Sequence, residues 1–264
     1  MKKELIVCKD PKSPISEIFR TLRTNIQFMS TSKEAKVILI TSTFPGEGKS
    51  WVSSNLAATF AQNGKRIILI DSDMRKGRQY SIFGVSPTPG LSNCLSEVGE
   101  EKEGKKVTYL TGVEGVTVIS AGNIPPNPSE LLNSTRMLGL LDKIKEAYDL
   151  IIIDGTPCQL VADSLILTRA ADSTIVVTAH KATKKKDLQR VITGITNVGG
   201  KIFGVVLNKI PVDAKRYEQS YYYGSTAKKK RKNKKKSFDH DENSWTEEVN
   251  LEESNFNYVE GNLK

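Results

Sequence analysis

Short apolar runs alternate with stretches of helical spacing from residue 36 to residue 210. The runs cover residues 37–40, 67–70, 116–119, 150–153, 174–177 and 202–207. They are dominated by Ile and Val and hardly broken by polar residues, the composition of parallel strands buried on both faces. Helical segments over about 49–62, 129–147, 162–170 and 183–197 supply the crossovers. The pattern predicts an α/β fold, a doubly wound, mostly parallel sheet that binds ligands at the carboxyl ends of its strands.

Upstream, residues 14–29 read as an amphipathic helix, with Ser13 as N-cap and Pro14 in the first helical position. Ile15, Ile18, Phe19, Leu22, Ile26 and Met29 form one apolar stripe. Glu17, Arg20 and Arg23 are successive i,i+3 neighbours on another face, which by itself reads as a solvated charged face. After Pro211 the apolar runs stop. Residues 1–35 therefore form an N-terminal segment, 36–212 the α/β domain, and 213–264 a polar tail too poor in apolar residues to fold alone.

The strongest chemical signal lies between the first strand and its helix: Thr43-Phe44-Pro45-Gly46-Glu47-Gly48-Lys49-Ser50, followed by Trp51. A phosphate-binding loop needs glycines because its backbone N–H groups must turn inward around phosphate oxygens. Gly46 and Gly48 permit that turn, and Thr43 stands where the usual pattern has its first glycine. Lys49 is placed to bridge the β- and γ-phosphates of ATP, and the Ser50 hydroxyl to ligate Mg2+. A second signal ends the next strand at Asp71-Ser72-Asp73-Met74-Arg75. Two carboxylates at i,i+2 point to one side, and like charges that close need a shared cation or proton. A third is Asp154, ending the apolar run 150–153 in the manner of a Walker B acid that holds magnesium directly or through water. The expected division gives metal binding to Ser50, Asp73 and Asp154 and the role of base to Asp71, although spacing alone leaves Asp71 and Asp73 exchangeable. Asn208, closing the last strand, is either an adenine-reading amide or a turn-forming Asn.

Charge refines this picture. The net charge is +9, and residues 1–212 hold 28 Lys/Arg against 20 Asp/Glu. Residues 213–264 hold 11 against 10, segregated into a basic block from Lys228 to Lys236 and eight acids between Asp239 and Glu260. Such blocks mark solvated tails. The basic block suits sequence-independent phosphate binding or anionic lipid. No stacking aromatics interleave with it, which disfavours specific nucleic acid recognition. Cys8, Cys94 and Cys158 lie far apart and read as inert thiols, and two histidines cannot supply a His-rich metal site. No apolar run approaches the roughly 20 residues of a membrane span, and the N-terminus lacks a signal-peptide pattern. These features predict a cytoplasmic protein.

The three motifs, in this order, resemble those of the bacterial tyrosine kinases of capsule and exopolysaccharide synthesis: a Walker A loop, an Asp-x-Asp-x-Arg box, then Walker B. Residues 41–50, 67–75 and 151–157 carry the match. Glu17-Ile-Phe-Arg20-Thr-Leu-Arg23 resembles the family's subunit-contact helix, and the segment from Pro125 to Leu132 is also similar. The likeness covers about residues 12–223. Two departures stand out: Asp154-Gly155-Thr156-Pro157 replaces the more usual Asp-Thr-Pro-Pro, and the tail tyrosines are few. The resemblance implies an ATP- and Mg2+-dependent tyrosine kinase that phosphorylates its own tail at Tyr217, Tyr221, Tyr222 and Tyr223, in trans within a homo-oligomeric ring. It implies a transmembrane activator, a cognate tyrosine phosphatase, and a peripheral position at the inner face of the membrane. The competing reading is a ParA/MinD-like ATPase, whose loop usually carries a further lysine where this chain has Phe44.

Overall fold

The computed structural model describes residues 4–29, 35–96 and 107–211. A short helix α1 (Ile6–Lys9) and the long α2 (Pro14–Met29) precede β1 (Val37–Ser42), α3 (Lys49–Ala61) and β2 (Ile67–Asp71). Two short helices, α4 (Gln79–Phe83) and α5 (Leu91–Ser96), lead to β3 (Thr108–Leu110) and β4 (Val116–Ile119). Then follow α6 (Pro128–Leu132), α7 (Thr135–Ala147), β5 (Leu150–Pro157), α8 (Asp163–Leu167), β6 (Ser173–Ala179), α9 (Lys185–Asn197) and β7 (Ile202–Asn208).

The seven strands of the described residues form one sheet in the order β3-β4-β2-β5-β1-β6-β7, parallel throughout except for β3, which runs antiparallel to β4 at one edge. Strand alternation divides the core. Ile38, Ile40, Ile67 and Leu69 face α2 and α3, packing with Phe19, Ile26, Val52 and Leu56. Val37, Leu39, Ile68 and Ile70 face the other way, onto Leu91, Leu132, Met137, Leu141 and Leu167. All eight strand residues are fully buried, so both faces of the sheet are covered, as the unbroken Ile/Val runs predict.

Three local expectations are corrected. The helix expected over 129–147 is two helices, because Ser134 caps α7 by accepting from the Met137 N–H at 3.3 Å. The segment expected to be helical over 162–170 is regular only from Asp163 to Leu167. On α2 the predicted cap holds, Ser13 Oγ accepting from Ser16 N at 3.2 Å, but Ile18 leaves the apolar stripe and is 48% exposed. The N-terminal segment is part of the same core: Leu5 and Val7 are buried, and Asn55 of α3 accepts from Val7 N and donates to Glu4 O. Among the described residues no helix is long and apolar enough to cross a membrane.

Candidate active site

The parallel order sets the carboxyl ends of β1, β2 and β5 side by side, so the three motifs converge. Asp71 and Asp154 are register partners on adjacent strands. Gly46 and Gly48 adopt φ of +79° and +96°, the left-handed region that the loop demands. A side chain at Gly48 would also collide with Asn208, whose Nδ2 would lie 2.2 Å from its Cβ. Asn208 is there because its Nδ2 donates to the Glu47 carbonyl at 2.8 Å, tying the end of β7 to the loop. Glu47 turns its own carboxylate inward, accepting from Phe44 N at 2.8 Å and from the Thr183 hydroxyl. This residue shapes the loop from inside.

Lys49 opens α3 and lies in the acid cluster. Its Nζ is 3.2 Å from Asp73 Oδ2, 3.7 Å from Asp154 Oδ1 and 3.2 Å from Ser50 Oγ. Burial opposes its charge, but Asp154, Asp73 and Asp71 together outweigh burial and hold its pKa above the ordinary lysine value. Asp71 is fully buried. Desolvation, then the neighbouring charge of Asp154, push its carboxyl up to about 7. Asp71 accepts from Gln79 N at 2.9 Å and from Asp73 N at 3.3 Å, whereas Asp73 lines the cleft beside Lys49. Access and a near-neutral pKa are thus divided between the two acids. Three carboxylates around one ammonium leave a negative surplus in a buried space, which adds to desolvation in raising the Asp71 pKa. A divalent cation fits that surplus. Among the described residues no group of three or more His, Cys, Asp or Glu side chains is arranged to hold an ion alone. Mg2+ characteristically completes its shell with water and substrate phosphates.

Gln79 is a site residue with no signal in the sequence, eight positions past Asp71 and on no helical stripe. Its buried Nε2 donates to Asp154 Oδ2 at 2.8 Å and to Ser50 O at 3.1 Å, so it touches all three motifs. The amide cannot be reversed, since its oxygen would then face two acceptors. Its Oε1 is buried without a hydrogen-bond partner. The departure at Gly155 also has a cause: a Cβ there would meet Ser164 Oγ at 2.4 Å, and that hydroxyl is needed where it accepts from Thr156 N at 2.7 Å.

The cleft over the loop encloses about 330 Å³. Pro45, Gly46, Gly48, Ser50 and Trp51 form one wall, and Trp51 packs edge-to-face on Phe19 of α2 with centroids 5.2 Å apart. Arg75, Lys76 and Arg78 line the rim. Arg75 Nε reaches the buried Asp163 at 3.2 Å, and Asp163 accepts from Ser129 at 2.6 Å, which joins the second acidic box to α6. Of the expected subunit-contact residues, Glu17 and Arg20 pair with each other at the surface, while Arg23 Nη1 donates to Thr59 O at 3.1 Å inside the same subunit. Cys158 Sγ lies 3.1 Å from Thr41 Oγ1, and burial pushes its thiol up to about 11, so it is no nucleophile at neutral pH. Tyr217, Tyr221, Tyr222, Tyr223 and the block from Lys228 to Lys236 lie outside the described residues.

A strand, a glycine loop on a helix N-terminus and register-paired acids on neighbouring strands define a P-loop nucleotide-binding protein, and the family model described as an AAA domain matches residues 35–203. The tyrosine-protein kinase YwqD of Bacillus subtilis is 36% identical over 222 residues, 84% of this chain and 92% of that protein. The chain belongs to the family of bacterial tyrosine-protein kinases. Among solved structures, the chimerical protein CapA2B2 superposes with a TM-score of 0.74 at 36% identity, covering 80% of this chain and 92% of that one. The kinase domain of Escherichia coli tyrosine kinase ETK gives 0.72 at 32%, covering 79% and 82%. The Pyrococcus horikoshii septum site-determining protein MinD, at 21% identity and a TM-score of 0.54, shares the fold alone.

Proposed function

We propose that this chain transfers the γ-phosphoryl group of ATP, with Mg2+, to tyrosines of its own C-terminal region, the acceptor coming from another copy in a ring. The observation that carries this reading is the convergence of Lys49, Ser50, Asp73 and Asp154 beneath one cleft in a chain of the tyrosine kinase family. The backbone of residues 45–50 cradles the phosphates. Lys49, kept charged by its acids, stands where negative charge grows during transfer. Ser50, Asp73 and Asp154 would hold the metal, which when bound neutralises phosphate charge and aligns the γ-phosphoryl group. The phenolic proton goes to the Asp71–Asp73 pair as a unit, Asp73 supplying access and Asp71 a pKa suited to proton acceptance at neutral pH. Trp51 walls the nucleotide, and Asn208 Oδ1 accepts from the adenine amino group.

The remaining readings rest on the family. Glu17 and Arg20, flanking the exposed Ile18, form the subunit contact, and Arg23 supports it from within. The domain boundaries at about 35 and 212 separate this contact segment, the catalytic domain and a tail that presents the tyrosines. A transmembrane activator and a cognate phosphatase complete the cycle at the inner face of the membrane, where Lys228 to Lys236 contact anionic lipid. The output is control of capsular or exopolysaccharide synthesis and export. The experiment is incubation with γ-labelled ATP. Phosphate retained on tyrosine supports the kinase, whereas phosphate only released to solution identifies a MinD-like ATPase and overturns it.

A further inference from the structure

The positive charge of the folded domain is not spread over its surface. Residues 181–211 contain Lys181, Lys184, Lys185, Lys186, Arg190, Lys201 and Lys209 against a single acid, Asp187. This stretch carries a surplus of six, out of the surplus of eight held by all of residues 1–212. All seven cations are exposed, and Asp187 is already paired with Arg190 at 3.3 Å. An open groove of about 650 Å³ runs along α9 past Lys185, Lys186 and Arg190.

The same edge exposes aliphatic surface. Helix α9 packs Val191 and Ile195 onto Val176 of β6. Val205 and Leu207 of β7 are register partners of Val176 and Thr178, so they share the α9 face of the sheet. They are nevertheless 43% and 50% exposed: α9 reaches β7 at Ile202, and these two side chains further along the edge strand stay open. Ile210 and Val198 are exposed as well. Cations beside bare aliphatic side chains are what an anionic bilayer surface takes up: headgroups pair with Lys and Arg while the apolar groups enter the interface. A single nucleic acid strand is held by stacking on aromatic rings, and among the described residues no aromatic stands with the exposed side chains of this edge.

We propose that the α9–β7 edge binds anionic phospholipid headgroups and turns this side of the domain towards the membrane. The exposed lysines and aliphatic side chains of this edge are not among the residues assigned to phosphoryl transfer, although Asn208 at the end of β7 braces the loop, so the inference is tested by lipid binding and not by kinase activity.

The test is flotation of the full chain with vesicles of phosphatidylcholine, alone or mixed with phosphatidylglycerol. Wild type binds only the mixed vesicles, and NaCl releases it. The triple variant Lys184→Glu, Lys185→Glu, Lys186→Glu binds on the order of 100-fold more weakly, and Leu207→Asp also weakens binding. A second variant, with the basic residues from Lys228 to Lys236 changed to Gln, retains the part of the binding that the triple variant loses. Thermal melts matching wild type establish that each variant is folded. The proposal fails if mixed vesicles do not bind, or if the triple variant binds like wild type. It also fails if duplex DNA is bound more tightly than the vesicles through the same lysines.

Discussion

At the residue scale, the acids around Lys49 make opposing demands that solution measurements can separate. Asp71 gives up its proton near 3.8 when unperturbed but near 7 in the folded protein. Folding therefore takes up a proton between about pH 4 and about pH 7, and stability falls as pH rises through that window and is level above it. In EDTA, the urea midpoint of wild type should drop across this range, and that of Asp71→Asn should not. An identical slope in both proteins would refute the shift. Lys49→Met should lower tyrosine phosphorylation by at least about 100-fold while the far-UV circular dichroism spectrum stays unchanged. Gln79 gives the more discriminating result. Gln79→Leu removes the donor that orients Asp154 and leaves Asp154 Oδ2 without that bond, a loss of about 1–3 kcal/mol. Affinity for ADP with Mg2+ should fall about tenfold, whereas affinity for ADP in EDTA should barely change. Equal losses under both conditions would mean that Gln79 only supports the fold. Titration of the Trp51 fluorescence, measured beside Trp245→Phe as background, supplies the readout.

At the scale of elements, what was legible in the sequence was whatever repeats or clusters locally. The Ile/Val runs named six of the seven strands, and the strand–loop–helix context named the phosphate loop. The missing strand, β3, is three residues long and half exposed, too short for a period to show. The single helix read over 129–147 divides at Asn133 and Ser134, where the Ser134 side chain caps α7. Long-range contacts were not legible at all. Nothing local shows that Gln79 returns to Asp154, that Leu5 and Val7 bury themselves against α3, or that Arg23 turns inward to Thr59. Asn208 shows both sides of this: its place at a strand end was legible, but its bond to the loop carbonyl was not. That bond makes β7 a brace for the loop. Asn208→Ala should weaken nucleotide binding about fivefold, from the loss of about 1 kcal/mol. Asn208→Asp should be worse, since a carboxylate cannot donate to Glu47 O and would face the phosphates. Calorimetric titration with ADP and Mg2+ checks the order, and an alanine variant that binds like wild type would remove the brace.

At the scale of the whole molecule, the strand order bears on the proposed phosphorylation of the tail tyrosines. The chain leaves the sheet at β7, an edge, while Asp71 ends β2, four strands away across β6, β1 and β5. At about 4.8 Å per strand, the site lies roughly 19 Å from the exit. Eight residues separate Asn208 from Tyr217. At about 3.3–3.6 Å each they span at most some 30 Å, enough to cover the distance only if the chain folds straight back over the domain. A neighbouring subunit offers its cleft without that reversal, and Glu17 and Arg20 place charged groups and the bare Ile18 where such a neighbour can pack. Phe19, on the same helix, packs against Trp51, which lines the cleft. The test mixes two proteins that cannot label themselves: Lys49→Met with all its tyrosines, and an otherwise unaltered chain ending at Val212. Phosphotyrosine appearing on the Lys49→Met chain, at a rate that rises with the concentration of its partner, is the expected result. Changing Glu17 and Arg20 to Ala in both proteins should slow that transfer and shift the sedimentation profile towards monomer. Labelling confined to the unmixed wild type, at a rate independent of its concentration, would establish transfer within one chain.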